Sequence, residues 1–269
     1  MYFLTEDGLY ELAGGRAEER CCRGVWLVDG MRWRGELYLC SPDVGVLSRD
    51  GEVVLRGECW ALRDAGGLPV ASLGGPRLVD LESGGVVADY SKLAEERHWY
   101  FPEPGYRPHF TDLAMFSERW VASAEVGDLM AGPALGDLTP APLYADQHVL
   151  HVAEGRLLIG TASGIYLTED LNNFEEANGA WGYVHGIVKC SGLYVAQEMS
   201  PKPLWVSKDG VVWDNLPMVL ESPTFGSTNI ACAGDVLVYA FRRVYYVDLA
   251  EAKAEALGVE LPRVYKIVV

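Results

Sequence analysis

Four short stretches of this chain repeat one pattern: an apolar strand, a hydroxyl residue, one spacer, an aspartate and a turn. They are FLTEDGLYEL from Phe3, VLSRDGEVVL from Val46, YLTEDLNNF from Tyr166 and WVSKDGVVW from Trp205. A chain that repeats one supersecondary unit buries its apolar faces by packing neighbouring copies together. The recurrence therefore predicts a repeat fold, although it leaves the function open.

The order of strands and turns inside one repeat indicates a β-propeller. From Tyr183 the strands VHGIVKC, LYVAQE, PLWVS and VVWDNL follow one another with turns between them, which predicts a four-stranded antiparallel blade. We letter its strands A to D from the centre outwards. The C–D turn aspartates Asp7 and Asp50 lie 43 positions apart, and Asp170 and Asp209 lie 39 apart. Both distances suit blades of about 40 residues.

We therefore predict an all-β fold in which residues 1–269 form a single β-propeller domain. Seven four-stranded antiparallel blades are expected, with six as the alternative. The stretch from Tyr2 looks like a strand C, and the chain ends in the apolar sequence VYKIVV from Val264. Pairing of the N- and C-terminal strands in one blade would close the ring and remove two open sheet edges.

The charge balance limits the class of partner. Only 22 Lys and Arg residues face 38 Asp and Glu residues, which gives a formal net charge of −16. Tracking a phosphate backbone needs a basic stripe, so we expect no nucleic-acid partner. No apolar run approaches the roughly 20 residues that cross a bilayer. Glu6 and Asp7 stand where a signal peptide carries positive charge, so we expect no membrane association and a cytoplasmic location.

Six cysteines are scattered along the chain without a CxxC pair or a metal-ligand spacing. In a cytoplasmic protein this pattern favours buried free thiols. The alternative is a disulfide between neighbouring blades, as intracellular proteins of hyperthermophiles use. Cys190 and Cys232 fall on strands predicted to be innermost, so they are the candidate pair.

The C–D turns resemble the Asp-box, or BNR, repeats of the sialidase-like propeller superfamily, whose pattern is roughly Ser/Thr-x-Asp-x-Gly-x-x-Trp. The segment from His109 through Phe241 is also similar to uncharacterised BNR proteins, with His109, His148 and His185 and the stretch Glu125-Val126-Gly127 as the matching residues. The residues that match the box pattern are Ser207, Asp209 and Trp213 in the nearest copy, Asp170 and Phe174 in a second, and Asp7 and Asp50 in two partial copies. In that family the boxes lie on the face away from the active site, so the resemblance implies a structural role for these residues. Physically, the aspartate accepts turn amides while the aromatic ring packs between sheets.

Repeat logic places three histidines and two glutamates at one mouth of the channel. His148 and His185 each lie seven positions before the glycine of their A–B turn, while His109 lies nine before its turn, a difference that a bulge can absorb. Alignment of RWVASAE, RLLIGTA and GLYVAQE puts Glu125 and Glu198 at one position, at the ends of two B strands. D–A and B–C connections emerge on the same face of a propeller, so these five side chains are expected to converge.

Such a cluster can do chemistry or bind a ligand. As neutral imidazoles, His109, His148 and His185 are the candidate ligands of one divalent metal at the channel mouth. Glu125 and Glu198 are the candidate catalytic acid and base. The alternative is that each histidine only hydrogen-bonds to a neighbouring blade.

A long D–A connection carries further candidates on the same face. The segment from Tyr90 to Pro108 contains an aromatic run with Trp99, Tyr100 and Arg107, which we take as ligand-binding residues together with the three histidines. Such a run suits a sugar platform or a protein-binding hot spot, and it suits packing between blades equally well.

Two functions follow from these features. The first is a non-catalytic BNR-type propeller that binds a protein or glycan ligand on the D–A/B–C loop face at the central channel. The alternative is a glycoside hydrolase-like or metal-assisted hydrolase that uses the histidine and glutamate rim. We favour the first because the sequence does not reproduce the superfamily's catalytic set: Tyr106-Arg107-Pro108 is not its x-Arg-x-Pro motif and lies in mid-chain.

Overall fold

The computed structural model describes residues 1–269, which form antiparallel strands with one short α-helix and one 3-10 turn. The strands before the helix are β1 (Tyr2–Thr5), β2 (Gly8–Ala13), β3 (Arg16–Cys21), β4 (Asp29–Trp33), β5 (Glu36–Ser41), β6 (Gly45–Ser48), β7 (Val53–Arg56), β8 (Cys59–Asp64), β9 (Pro69–Leu73), β10 (Arg77–Asp80) and β11 (Val86–Asp89). The helix is α1 (Ser91–Glu96), and the 3-10 turn spans Leu135–Asp137.

The second part of the chain contains strands only, apart from that 3-10 turn. They are β12 (Phe110–Phe116), β13 (Arg119–Ala124), β14 (Val126–Gly132), β15 (Thr139–Ala153), β16 (Arg156–Thr161), β17 (Gly164–Thr168), β18 (Glu175–Glu176), β19 (Val184–Cys190), β20 (Leu193–Glu198), β21 (Leu204–Ser207), β22 (Asp214–Asn215), β23 (Ile230–Ala233), β24 (Val236–Ala240), β25 (Arg243–Asp248), β26 (Lys253–Glu260) and β27 (Val264–Val268). No helix is long and apolar enough to cross a bilayer.

The sheets are arranged as a β-propeller, in which five blades are four-stranded antiparallel sheets. These blades are β27-β1-β2-β3, β4–β7, β8–β11, β19–β22 and β23–β26, whereas β12–β18 form one seven-stranded sheet. The predicted count of seven, or six, separate four-stranded blades is therefore wrong. The cause is the 15-residue strand β15, because its first half pairs with β14 and its second half pairs with β16. One uninterrupted strand thus joins stretches that the sequence treats as separate blades.

The two ends of the chain meet in one blade. Strand β1 pairs antiparallel with β27 on one side and with β2 on the other, so that Tyr2 faces both Val268 and Glu11. The expected pairing of the N- and C-terminal strands is present. The phase of the first repeat is wrong, however, because β27 is the inner strand and β1 is the second strand of this blade instead of the third.

Burial changes from the centre to the rim of each blade. Middle strands such as β20 are buried almost throughout, because both of their faces pack against other sheets. Outer strands carry charge: β3 reads RAEERC and β26 reads KAEALGVE, and most of their residues are exposed or half-buried. Charged outer edges oppose pairing with another chain. Apolar clusters fill the spaces between adjacent sheets, as where Val195 and Leu204 pack with Leu237 and Tyr239.

All six cysteines are bonded in pairs, as Cys21–Cys22, Cys40–Cys59 and Cys190–Cys232. The expectation of free thiols is therefore wrong, and the candidate pair Cys190–Cys232 is one of the bridges. This pair joins the innermost strands β19 and β23 of neighbouring blades. The Cys40–Cys59 pair joins β5, the second strand of its blade, to β8, the innermost strand of the next, so two of the three bridges tie adjacent sheets together.

Candidate functional site

Four successive inner strands carry a β-bulge at the same end of the channel. The pairing register shifts at one residue in each of β8, β12, β15 and β19. A bulge turns the extra side chain out of the regular alternation, and bulges are common beside binding sites. The four bulged residues are Trp60, Thr111, His148 and His185. His148 and His185 therefore occupy equivalent positions, as the repeat predicts.

His109 reaches the same site from a different position in its repeat. In the strand ladders Phe110 pairs with Ala124, Gln147 with Thr161 and Val184 with Glu198. The residues just before these three inner-strand positions are His109, Asp146 and Tyr183. The expected equivalence of His109 with the other two histidines is therefore wrong, because Thr111 takes the bulge position in β12.

The same strand pairings place the two glutamates at different positions of the repeat. Glu198 pairs with Val184 and so corresponds to Ala124, whereas Glu125 is one residue further along. The expected alignment of Glu125 with Glu198 is wrong by one position, since Gly192 belongs to the A–B turn while Arg119 begins a strand. Glu125 lines the channel pocket, and Glu198 does not.

The channel opens on this face into a pocket of about 990 Å³. Aromatic and prolyl side chains from inner strands and long connections form much of its wall. They are Trp26, Trp60, Phe101, Pro102, Pro104, Tyr183 and Phe225. Trp60 stacks on the ring of His109 at a centroid distance of 4.1 Å and an interplanar angle of 6°, and Phe101 meets the same imidazole edge-on at 5.1 Å. Contacts with two aromatic rings therefore hold the orientation of the His109 imidazole.

Glu125 lies between two of the histidines. Its Oε2 is 4.0 Å from Nε2 of His109 and 3.9 Å from Nδ1 of His148. These separations are too long for direct hydrogen bonds. His109 donates from Nδ1 to the carbonyl oxygen of Arg107 at 3.1 Å, which leaves the lone pair on Nε2 facing the glutamate when the ring is neutral.

Asp146 completes the polar side of the pocket. Its Oδ2 accepts a hydrogen bond from the hydroxyl of Tyr183 at 2.6 Å, while its Oδ1 lies 3.6 Å from Nε2 of His148. Neither Asp146 Oδ1 nor His148 Nε2 has a hydrogen-bond partner, and the same holds for Nε2 of His185. The rings of His148 and His185 lie 4.2 Å apart, and both pack against Tyr183. Orphaned polar atoms of this kind are unusual in a folded protein and mark this corner of the pocket.

Burial sets the protonation of these groups. It lowers the pKa of His109 to about 3, and burial together with the nearby His109 lowers the pKa of His148 to about 3. Burial and then the neighbouring His148 lower the pKa of His185 as well. Burial, with the charge of Asp146 added, raises the pKa of Glu125 well above its ordinary value. All three imidazoles are therefore neutral at neutral pH.

The pKa values of Asp146 and Tyr183 are both raised. Burial raises the pKa of Asp146, although the hydrogen bond from Tyr183 partly opposes this. Burial and then that hydrogen bond raise the pKa of Tyr183, so its hydroxyl keeps its proton and remains a donor. The site therefore pairs two carboxyl groups that resist ionisation with imidazoles that resist protonation.

A charged network lies deeper in the channel. Arg63 donates from Nη1 to Oδ2 of Asp29 and from Nε to Oδ1 of Asp112, both at 2.5 Å, and Nζ of Lys266 lies 3.5 Å from Asp29. Asp112 also accepts the backbone N–H of Leu150 at 2.9 Å. Asp29, Arg63 and Asp112 all line the pocket, so this network ties three inner strands together within the pocket wall.

Several residues predicted for the site lie outside the pocket. Arg107 is exposed and its Nε bonds to Glu58 at 3.1 Å. Trp99 is buried in an apolar cluster, and its Nε1 donates to Asp128 at 2.8 Å. Tyr100 is 54% exposed and does not line the pocket. The aromatic run of this connection thus serves the site through Phe101, whereas Trp99 packs between blades.

Sequence reasoning missed Asp146, Tyr183 and Trp60. A signal existed for the first two, because each stands two residues before a histidine at the start of an inner strand. Side chains two apart along a strand share a side. Trp60 carried no comparable signal, because its role depends on the bulge in β8.

The predicted Asp-box residues fall into two groups. Asp170 and Asp209 lie at turns between third and fourth strands, where Asp209 Oδ1 accepts the N–H groups of Val211 and Val212 at 2.8 and 3.1 Å. Hydrogen bonds from the turn, led by the N–H of Asn172, hold the pKa of Asp170 at about 2. The other members of these two boxes are Phe174, Ser207 and Trp213, and Ser207 Oγ accepts the N–H of Gly210 at 2.9 Å.

The two partial copies differ from each other. Asp50 lies at a third-to-fourth strand turn, between β6 and β7. Asp7 lies between the second and third strands of its blade, so its expected place at a C–D turn is wrong. The reason is the shifted phase of the closing blade, in which β27 supplies strand A. Asp7 instead accepts the N–H of Gly24 at 2.8 Å.

Comparison with known proteins identifies the type of fold. No family model matches the sequence, and no curated protein matches it. The structure is similar to the WD40 β-propeller domain of Doa1, with a TM-score of 0.59 and 12% identity over 91% of this chain and 84% of that one. It is similar to a chain of the nidogen/laminin complex, with a TM-score of 0.54 and 11% identity over 98% of this chain and 95% of that one.

A third similar structure is PorZ, a bacterial surface component of the type-IX secretion system of Porphyromonas gingivalis. The TM-score is 0.57 and the identity 11%, over 86% of this chain and 33% of PorZ. This chain thus spans about a third of the length of PorZ. At such identities the comparisons show the fold alone, which is a β-propeller.

Proposed function

We propose that this chain is a ligand-binding propeller and that it binds a short glycan in the channel pocket. The observation that carries the proposal is a pocket of about 990 Å³ that combines aromatic walls with unpartnered polar atoms. Small-molecule sites have this composition: mostly apolar and aromatic surface with a few fixed polar groups. A sugar offers an apolar ring face for Trp60 and hydroxyl groups for Asp146, Glu125 and His185.

A folded protein partner fits this pocket less well. The polar atoms in question belong to side chains inside a concavity, and a flat protein surface cannot reach them. The nidogen propeller comes from a complex with laminin, so protein binding is a use that this fold supports in that protein. For this chain, protein binding is the alternative outcome of the experiment below.

The proposal can be tested by titrating purified protein with a panel of neutral and acidic oligosaccharides and following tryptophan fluorescence and heat. Trp26 and Trp60 line the pocket and report on its occupancy. We expect Trp60→Leu and Phe101→Leu to weaken binding at least about 10-fold, since they remove stacking surface. Trp33→Leu is the matched control, because Trp33 ends β4 on the opposite face. Equal affinities in all variants, or no binding to any glycan, would overturn the proposal.

A hydrolase is the second candidate, and one observation favours it. Glu125, whose pKa is raised by burial and by Asp146, lies beside a second carboxyl group in an open pocket. Glycoside hydrolysis uses two carboxyl groups, one of which keeps its proton. The pair proposed from the structure is Glu125 with Asp146, in place of Glu125 with Glu198. Release of sugar from a bound glycan by the wild type, and its loss in Glu125→Gln, would establish this activity.

Kinship with the BNR propellers is also a proposal. It is supported by the two complete turns around Asp170 and Asp209, where a hydroxyl, an aspartate and a packed aromatic ring recur with the same contacts. A cytoplasmic location is a further proposal, and the three disulfides restrict the organisms in which it can hold. Disulfides persist in oxidising compartments and in the cytosol of hyperthermophiles, so a cytoplasmic location implies a heat-adapted source.

A further inference from the structure

We infer that Glu125, Asp146 and His148 bind a divalent cation of the Zn²⁺ or Mn²⁺ class at the inner end of the channel pocket. This inference goes beyond glycan binding and does not depend on it. It replaces the ligand set of three histidines expected from sequence, of which only His148 is retained.

The geometry of the three groups suits a metal. One potential ligand atom from each residue lies within 4.8 Å of the other two. Nε2 of His148 is 3.6 Å from Oδ1 of Asp146. With metal–ligand bonds of about 2.0–2.2 Å, two ligands of a tetrahedral ion lie about 3.4 Å apart. The histidine and the aspartate are thus already at ligand spacing, and Glu125 offers a carboxylate oxygen within 4.8 Å of the other two ligand atoms.

The proposed ligand atoms of His148 and Asp146 also lack hydrogen-bond partners. The His148 side chain is only 4% exposed, yet its Nε2 has no hydrogen-bond partner, and neither has Oδ1 of Asp146. The other oxygen of Asp146 is taken by the hydroxyl of Tyr183 at 2.6 Å. Metal-binding carboxylates are commonly held in this way by a second residue that fixes their orientation. Tyr183 is therefore a positioning residue that turns Oδ1 of Asp146 toward His148.

Charge gives the strongest argument for a cation. Two carboxyl groups lie here without a lysine or arginine within 4.0 Å of either, since Glu125 approaches only His109 and His148, and Asp146 approaches only His148. Arg63, the arginine that lines the pocket, is already bound to two other aspartates. Buried carboxylates without a counter-charge are costly, and a bound dication removes that cost.

The types of ligand atom in the cluster indicate which ions it suits. One imidazole and two carboxylates suit Zn²⁺ and Mn²⁺ better than Ca²⁺ or Mg²⁺, which favour oxygen ligands alone. Nε2 of His148 has no hydrogen-bond partner, so a neutral imidazole offers its lone pair to a metal at this position. Three protein ligands leave at least one coordination position facing the pocket, where a hydroxyl of a ligand or a water molecule can bind.

The test uses the full chain, freed of metal with a chelator and titrated with Zn²⁺ and, separately, with Mn²⁺ by calorimetry. We expect one equivalent of at least one of these ions to bind. Asp146→Asn and Glu125→Gln should weaken that binding at least about 100-fold, and Tyr183→Phe about 10-fold. Glu198→Gln is the matched control, because Glu198 is also a buried glutamate near the same rim but lies outside the cluster.

A second measurement separates loss of the site from loss of the fold. Without metal, Glu125→Gln should melt at or above the temperature of the wild type, because it removes a buried carboxyl group that faces another. Absence of stoichiometric binding of either ion, or equal affinities in wild type, Glu125→Gln and Tyr183→Phe, would overturn the inference. Glycan titrations of the metal-free protein are run separately, so that failure of glycan binding and failure of metal binding are distinguished.

Discussion

Arg63 and Asp112 join two inner strands of neighbouring sheets by a buried charged hydrogen bond, Nε to Oδ1 at 2.5 Å. The same guanidinium bonds to Asp29 on β4, so that one arginine links three inner strands across the channel. Around the pocket, the sheets are therefore held together by charge as well as by apolar packing.

Removal of this arginine should destabilise the fold strongly. Arg63→Met leaves the side chains of Asp29 and Asp112, which are 5% and 7% exposed, without their main counter-charge. Breaking a buried pair in this way costs about 3–5 kcal/mol. Urea unfolding followed by fluorescence measures the loss. Arg34→Met is the control, since Arg34 forms an exposed pair with Glu82 and should change stability by less than about 1 kcal/mol. A similar small effect of Arg63→Met would show that the network contributes little.

The same network predicts acid sensitivity. Burial alone would raise the pKa of Asp29, but the charges of Arg63 and Lys266 and the N–H of Leu62 outweigh it, so the pKa is lowered. An aspartate in an unfolded chain has a pKa of about 3.9. The stabilisation by Asp29 is therefore complete above about pH 3.9 and is lost as the pH falls through its lower folded-state pKa.

Asp29→Asn should flatten this dependence. Below about pH 4 the wild type should lose stability more steeply than the variant, by at most about 1.4 kcal/mol per pH unit. Denaturant midpoints of both proteins, measured between pH 2 and pH 6, provide the comparison. Parallel curves for the two proteins would mean that Asp29 does not contribute to acid unfolding.

The repeat could be predicted from sequence because it is local. Turn chemistry around Asp170 and Asp209 and the alternation of β19 and β20 are each encoded within a few residues, and these stretches are strands and turns where expected. The pairing of the two chain ends followed from the need to remove open edges. The number of blades could not be predicted from local sequence, because it depended on whether β15 would run unbroken for 15 residues.

The site was less predictable because a bulge changes register without a clear trace in sequence. His148 and His185 were found by counting from turns, and that count worked because both are bulge residues. The count gave the wrong equivalence for His109, whose strand has its bulge at Thr111. Asp146 was missed for a related reason: its repeat equivalents are a histidine and a tyrosine, so no residue type recurs at this position. The functional groups at the rim thus come from different residue types at equivalent positions of the repeat.

The turn around Asp209 should be a stability determinant remote from the pocket. Trp213 is 2% exposed, packs in an apolar cluster and donates from Nε1 to the carbonyl of Gly210 at 2.9 Å. Trp213→Ala should cost about 3–5 kcal/mol through the cavity it leaves. Trp181→Ala is the control, because Trp181 is 60% exposed and should change stability by less than about 0.5 kcal/mol. Denaturant unfolding gives both values, and equal losses would contradict a packing role for the box aromatic.

The bridge between neighbouring inner strands should stabilise the ring by restricting the unfolded chain. Cys190 and Cys232 are 42 residues apart, and closing a loop of that length is worth about 4 kcal/mol in the chain-entropy model. The Cys40–Cys59 bridge, 19 residues apart, should contribute about 3 kcal/mol. Paired Cys→Ala variants, unfolded in denaturant without reductant, measure each contribution.

These bridges also admit a direct chemical check. Alkylation of the denatured protein before and after reduction, followed by mass spectrometry of peptides, should label Cys190 and Cys232 only after reduction. If both residues are labelled without reductant, the bridge is absent under the conditions of expression. The double variant should then be as stable as the wild type, apart from the small packing change at the 1% exposed Cys190. A bonded pair with no measurable loss in the variant would instead show that the unfolded chain is already compact in this region.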